Sequence, residues 1–124
     1  MEHKEPRLEA LRYIDNAKET LKKAQKENGI YKDKKYVRSA SGTAYLGAII
    51  AIDEYLRKKE GLKFKKPNSI EEYQYRLSKH NKKLNAILSQ VYGQLHILGD
   101  YHGTDSVKII LDGIQSAEKI VDYI

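Results

Sequence analysis

The chain reads as an all-α protein, and three observations carry that reading. Apolar residues recur at three- and four-residue spacing over nearly its whole length, no segment shows the alternation of a strand, and capping residues and glycines punctuate the periodic runs. At 124 residues it is expected to form one domain, residues 1–124. A domain of that size buries roughly two-thirds of the surface its unfolded chain exposes, so it needs no metal or disulfide to hold it.

Pro6 suits the first position of a helix, where its fixed φ is already helical and its missing N–H has no partner to lose. The first helix is expected to run to about Lys26, with Ala10, Ile14, Ala17, Leu21 and Ala24 on one stripe and Leu8 and Leu11 beside it. The run ENG stops it, Gly29 being free to take the left-handed conformation that ends helices. Asp33 is the N-cap expected for a second helix that continues to about Glu60, just before Gly61. Ala40, Ala44, Gly47, Ala48 and Ala51 share one face of it, and a face without bulk lets another helix approach closely. Gly42 and Gly47 each cost about 1 kcal/mol of helix propensity relative to alanine, which points to tight packing; a ligand groove or a self-association surface is the alternative use.

Ser69 and Glu72 match a capping box and start a third helix at Ile70. Its stripe continues through Tyr73, Leu77, Leu84, Leu88, Val91, Leu95 and Leu98, interrupted by His80 and Asn81. Two readings stand: one long helix with a polar layer, or two collinear helices that break near residues 78–81. The last helix begins around residues 104–106 and places Val107, Ile110, Ile114, Ala117, Val121 and Ile124 at strict three-four spacing. Ile109, Leu111 and Ile120 flank that stripe, so the helix is expected to be covered on more than one side, under the bundle or at a subunit contact.

The formal net charge is +6, unevenly spread: residues 1–96 hold 21 Lys/Arg against 12 Asp/Glu, and residues 97–124 hold two against five. A basic surface attracts polyphosphates by releasing their counterions, so nucleic acid is a possible partner, although lysines near helix ends also serve as solvated, dipole-matched termini. Lys34, Lys35 and Arg38 lie in the densest basic run, where Tyr31 and Tyr36 interleave with lysines and could stack on bases. With no cysteine, thiol catalysis, thiolate zinc sites and disulfides are excluded, which fits a cytoplasmic location. The charged start, MEHKEPRLEALRYIDNAKE, lacks the apolar run of a signal peptide or membrane span.

The stretch QLHILGDYHG concentrates the chemistry. Tyr92, His96 and Asp100 stand four residues apart and would form one polar line on a helix, with Asp100 able to orient His96 and His102 near the helix end. These four are the candidate ligand-contacting residues. A histidine and a carboxylate can act as a general base, yet no serine or cysteine nucleophile stands at recognisable spacing. No catalytic residue, cofactor or metal site is assigned, and the chain is not expected to be an enzyme.

The segments AKETLKKA (residues 17–24) and YVRSASGTAYLGAIIAIDEYL (residues 36–56) resemble the HEPN-like helical domains of bacteria. More narrowly, SIEEYQYRLSKHNKKL, VYGQLHILGDYHG and VKIILDGIQSAEKI resemble an uncharacterised bacterial family, number 5618 among the domains of unknown function. The wider resemblance implies an up-and-down bundle of four or five helices, often dimeric, in a superfamily that includes RNA-cleaving toxins and non-catalytic partners of nucleotidyltransferases. Its ribonucleases place an arginine a few residues ahead of a histidine. No arginine stands five to seven residues before His80, His96 or His102 here; the nearest approach is Arg76 with His80, on one helical face. Arg76 and His80 join Lys34, Lys35 and Arg38 as weak candidate RNA contacts. The expectation is thus a basic helical interaction domain, a homodimer through the small face of the second helix or the wide stripe of the last. Binding of RNA or nucleotides, or a divergent ribonuclease, is the alternative.

Overall fold

The computed structural model describes residues 5–124; residues 1–4 of the charged N-terminal stretch lie outside them. The described residues contain five α-helices and one π-helix, α1 (Pro6–Lys22), α2 (Lys34–Glu60), α3 (Ile70–His80), α4 (Lys82–Val91), the π-helix (Tyr92–Tyr101) and α5 (Val107–Val121), with a short 3-10 turn at Gly61–Lys63. This is an all-α bundle. No helix among the described residues is long and apolar enough to cross a membrane.

Pro6 opens α1 as its geometry favours, but the helix ends at Lys22, short of Lys26. Gln25 and Asn28 take positive φ and Gly29 follows at φ 79°. The chain then folds into a minimal antiparallel hairpin of β1 (Lys26–Glu27) and β2 (Ile30–Tyr31). Two positive-φ residues at Asn28 and Gly29 give the primed turn that joins tight hairpins, so Gly29 turns the hairpin and does not end the helix, which has already stopped at Lys22. The hairpin anchors the far loop as well: Tyr31 N donates to Asp105 O at 2.8 Å and Val107 N to Gly29 O at 3.1 Å.

Asp33 caps α2 by accepting from Lys35 N at 3.0 Å, and α2 stops before Gly61, where φ is 64°. Its small face is fully committed inside the chain. Ala40, Ala44, Ala48 and Ala51 are all 0% exposed. A Cβ on Gly47 would fall 3.0 Å from the carbonyl oxygen of Ala10 and 3.1 Å from Ile14, because α1 crosses directly over it. The stripe of α5 is likewise buried, with Ile110, Ile114, Ala117, Ile120 and Val121 in the core. The small face of α2 is therefore covered by the chain's own helices, while on α5 the flanking Leu111 stays 43% exposed.

The segment after Ser69 is neither one long helix nor two collinear ones. Ser69 accepts from Glu72 N at 3.1 Å, while the Glu72 carboxylate takes Asn68 N, one residue earlier than a capping box requires. Asn81, extended at φ −160°, ends α3 and caps α4 by accepting from Leu84 N at 2.9 Å. The two helices fold back on each other: Gln74 Nε2 lies 2.9 Å from Ser89 Oγ, whereas fifteen residues of continuous helix would hold them about 22 Å apart. One extended residue lets both halves of a single apolar stripe, Tyr73 and Leu77 before it and Leu84, Leu88 and Val91 after it, face the same core.

Candidate functional site

The ladder changes from α to π at Tyr92, so the QLHILGDYHG stretch is π-helical up to Tyr101. His102 N donates to Ile97 O at 2.9 Å, a five-residue step, and Thr104 N to Leu98 O at 2.8 Å. Runs of π-helix are rare and often mark functional segments. Glycines fit it to its neighbours. A Cβ on Gly99 would lie 2.3 Å from Ser41 Oγ, and one on Gly103, at φ 64°, would lie 2.6 Å from Arg38 Nε.

The polar line expected here does form. His96 Nδ1 stands 4.0 Å from Asp100 Oδ2, with both side chains more than a third exposed. The rings of Tyr92 and His96 are 5.2 Å apart. Tyr45 of α2 completes the group, stacked on His96 at 4.9 Å with an interplanar angle of 25°. Burial, with Tyr92 alongside, pushes the Tyr45 phenol up to about 12. The three rings form a triangle, with Tyr45 and Tyr92 6.1 Å apart, and the His96 side chain stays 41% exposed. Tyr45 was not legible as a member because its partners come from a distant segment; only its place in the tyrosine-bearing helix hinted at it. His102 stands apart from the line, its ring edge-on to Tyr101 at 4.9 Å.

The candidate RNA-contacting residues separate into two groups. Lys34, Lys35 and Arg38 stand at the start of α2, where Lys34 and Lys35 are exposed and Lys35 Nζ lies 4.7 Å from the Tyr36 ring centre. Arg38 donates to the carbonyls of Tyr101 and His102 at 3.3 and 3.5 Å, satisfying orphan acceptors at the π-helix end. Arg76 and His80 lie by Glu60 at the other end of α2, about 35 Å away at the rise of an α-helix. Tyr31 is 5% exposed, so its ring serves the core and offers no face for a base.

Arg76 is held on two sides. It donates to Glu60 Oε1 at 2.5 Å and to Glu72 Oε2 at 3.0 Å, with its side chain 15% exposed. His80 Nε2 approaches the same Glu60 carboxylate at 3.5 Å. The hydrogen bond from Arg76 is the main reason the Glu60 carboxyl sits below its ordinary range. Next to this cluster, Tyr73 donates its hydroxyl proton to Asp53 at 2.6 Å, and Lys66 Nζ reaches both Asp53 and Tyr73. Burial and that bond drive the Tyr73 phenol far above its usual range. These contacts clasp the linker and α3 to α2. Glu60, Asp53 and Tyr73 carry no local motif; helix folding alone brings them to Arg76 and Lys66. Among the described residues no three His, Asp or Glu side chains gather as a metal site would need.

Residues 5–124 match a family described as a domain of unknown function (DUF5618). The fold is similar to that of a protein of unknown function from Dyadobacter fermentans, 35% identical, with a TM-score of 0.83 over 95% of this chain and 91% of that one. No curated protein matches the chain. With the family match spanning nearly every residue and the same helices recurring in that structure, the chain belongs to the DUF5618 family of uncharacterised helical domains.

Proposed function

We propose that this protein is a helical interaction domain that works by association and not by catalysis. One observation carries the reading: Arg76, the arginine nearest in sequence to a histidine on the same helical face, is committed to Glu60 and Glu72, and His80 shares the Glu60 carboxylate. An arginine that must meet a phosphate cannot also saturate two carboxylates without losing them. Within a HEPN-like superfamily, which the segments at residues 17–24 and 36–56 suggest, this favours the non-catalytic partners over the RNA-cleaving members. The same reading places the protein in the cytoplasm, where a cysteine-free chain forgoes nothing by lacking disulfides.

A second reading, RNA binding, rests on the exposed Lys34 and Lys35 at the start of α2; Tyr92, His96, Asp100 and His102 are the residues proposed to contact a ligand. Incubating the protein with an end-labelled RNA across a salt series, and reading anisotropy and fragment length from the same samples, tests both. Intact RNA with little binding is the expected result. Binding that falls steeply with salt, without cleavage, supports the second reading. Cleavage abolished by His80→Ala or His96→Ala overturns the first.

A further inference from the structure

Two hollows open side by side between α1 and α5. One, of about 340 Å³, is walled by Lys18, Leu21 and Lys22 of α1, by Lys26 of β1, by Tyr31 of β2 and by Leu111 of α5. The other, of about 320 Å³, shares Lys18 and Leu111 and continues along α5 past Asp112, Gln115 and Glu118. Together they form one trough. Its lining advances by threes and fours along both helices, the spacing with which a helix surface receives the ridge of another helix. The floor is apolar and closed, Leu21 and Tyr31 being 6% and 5% exposed, while Leu111 projects from the wall at 43%.

The charges on the two walls are opposite. Lys18 and Lys22 of α1 and Lys26 of β1 line one side, and Asp112 and Glu118 of α5 stand on the other. A patch with a basic wall, an acidic wall and a projecting leucine beside an apolar hollow is complementary to itself. Turned about a two-fold axis, the lysines of one copy face Asp112 and Glu118 of the other, and each Leu111 enters the opposite hollow, as an isologous contact requires. The ion pairs these residues make within the chain, Lys18 with Glu118 at 2.5 Å, Lys22 with Glu19 at 2.9 Å and Asp112 with Lys108 at 2.9 Å, are solvent-exposed and exchange at little cost. Lys26 has no ion pair among the described residues. We propose that the α1–α5 trough is a homodimer contact whose occupant is a second copy of this chain. The inference rests on the reading that the protein works by association.

Sedimentation equilibrium of the full chain over a range of concentrations and salt tests it. The mass is expected to rise from 14.3 kDa toward twice that value with concentration and to fall back as salt screens the facing walls. Leu111→Glu, at an exposed position, should keep its circular dichroism and weaken the dimer by about tenfold or more. Lys22→Glu/Lys26→Glu and Asp112→Lys/Glu118→Lys should each be monomeric alone, because like charges then face across the contact, and should pair when mixed. A mass of 14.3 kDa at every concentration, or a dimer that survives in either charge-reversed variant alone, overturns the inference. RNA cleavage in the preceding assay would instead remove the association reading and leave the measured mass as it is.

Discussion

Gly99 lies flush against Ser41: a side chain on the glycine would place its Cβ 2.3 Å from the serine Oγ and 2.5 Å from the serine Cβ. The π-helix can reach α2 only because one partner has no side chain. Ser41 is 0% exposed and its Oγ has no hydrogen-bond partner among the described residues, so the hydroxyl is tolerated there without a bond to offset its burial. Gly99→Ala should lower stability by about 2 kcal/mol, roughly 8 °C in Tm, from overpacking. Ser41→Ala should leave Tm unchanged or raise it, since an unpaired buried hydroxyl costs free energy. In thermal melts, Ser41→Gly combined with Gly99→Ala should show coupling of about 1 kcal/mol or more; strict additivity would break the contact argument.

Arg76 ties α3 to the end of α2. Removing it strands Glu60 beside only His80, and Arg76→Ala should cost about 2 kcal/mol in urea unfolding. The Glu60 carboxyl is held below its ordinary value of 4.5. A carboxyl lowered by folding contributes stability that is present above its ordinary value and lost as pH falls through the folded one. Acid should therefore destabilise the native chain below pH 4.5, and Arg76→Ala should flatten that part of the curve. Identical slopes in the two proteins would remove Glu60 from the account.

At the alkaline end the sign reverses. Burial raises the Tyr45 phenol from 10.0 to about 12 and raises Tyr73 further with help from Asp53. A phenol raised by folding contributes stability that is complete below its ordinary value and lost as pH climbs through the folded one. Of the ten tyrosines, Tyr45 and Tyr73 should be among the last to ionise in a phenolate absorbance titration. Tyr45→Phe should remove amplitude near pH 12; a loss confined to amplitude near pH 10 would contradict its buried setting.

Asn81 is the pivot of the α3–α4 fold-back and the cap of α4. Asn81→Ala removes the acceptor for Leu84 N and should cost about 1 kcal/mol, while Asn81→Asp keeps an acceptor there and should stay close to the native value. Equal losses in both, read from thermal melts, would mean that the bend and not the cap sets the cost.

Periodicity, caps and glycines were enough to determine from the sequence alone that the chain is helical and where most helices start and stop. Asp33 and Ser69 cap helices as local chemistry predicts, and Ser106 caps α5 within the start expected at residues 104–106, because a cap is decided within a few residues. The core stripes from Ala10 to Val121 were legible for a related reason: each helix must turn its apolar side inward wherever it lies. The polar line of Tyr92, His96 and Asp100 was visible too, since all three sit on one segment.

Tertiary structure decided the rest. Whether the stripe across Asn81 continues or folds back depends on what covers it, and both geometries satisfy the same pattern. The π-helix depends on close contacts at Ser41 and Arg38, which belong to α2. Tyr45 joins His96, Glu60 joins Arg76, and α1 closes over the small face of α2 through approaches between residues far apart in the chain. Local chemistry sets which way a residue faces on its own helix; which helix meets that face is set by packing the whole core at once, and it is there that Arg76 and Arg38 were drawn into internal contacts.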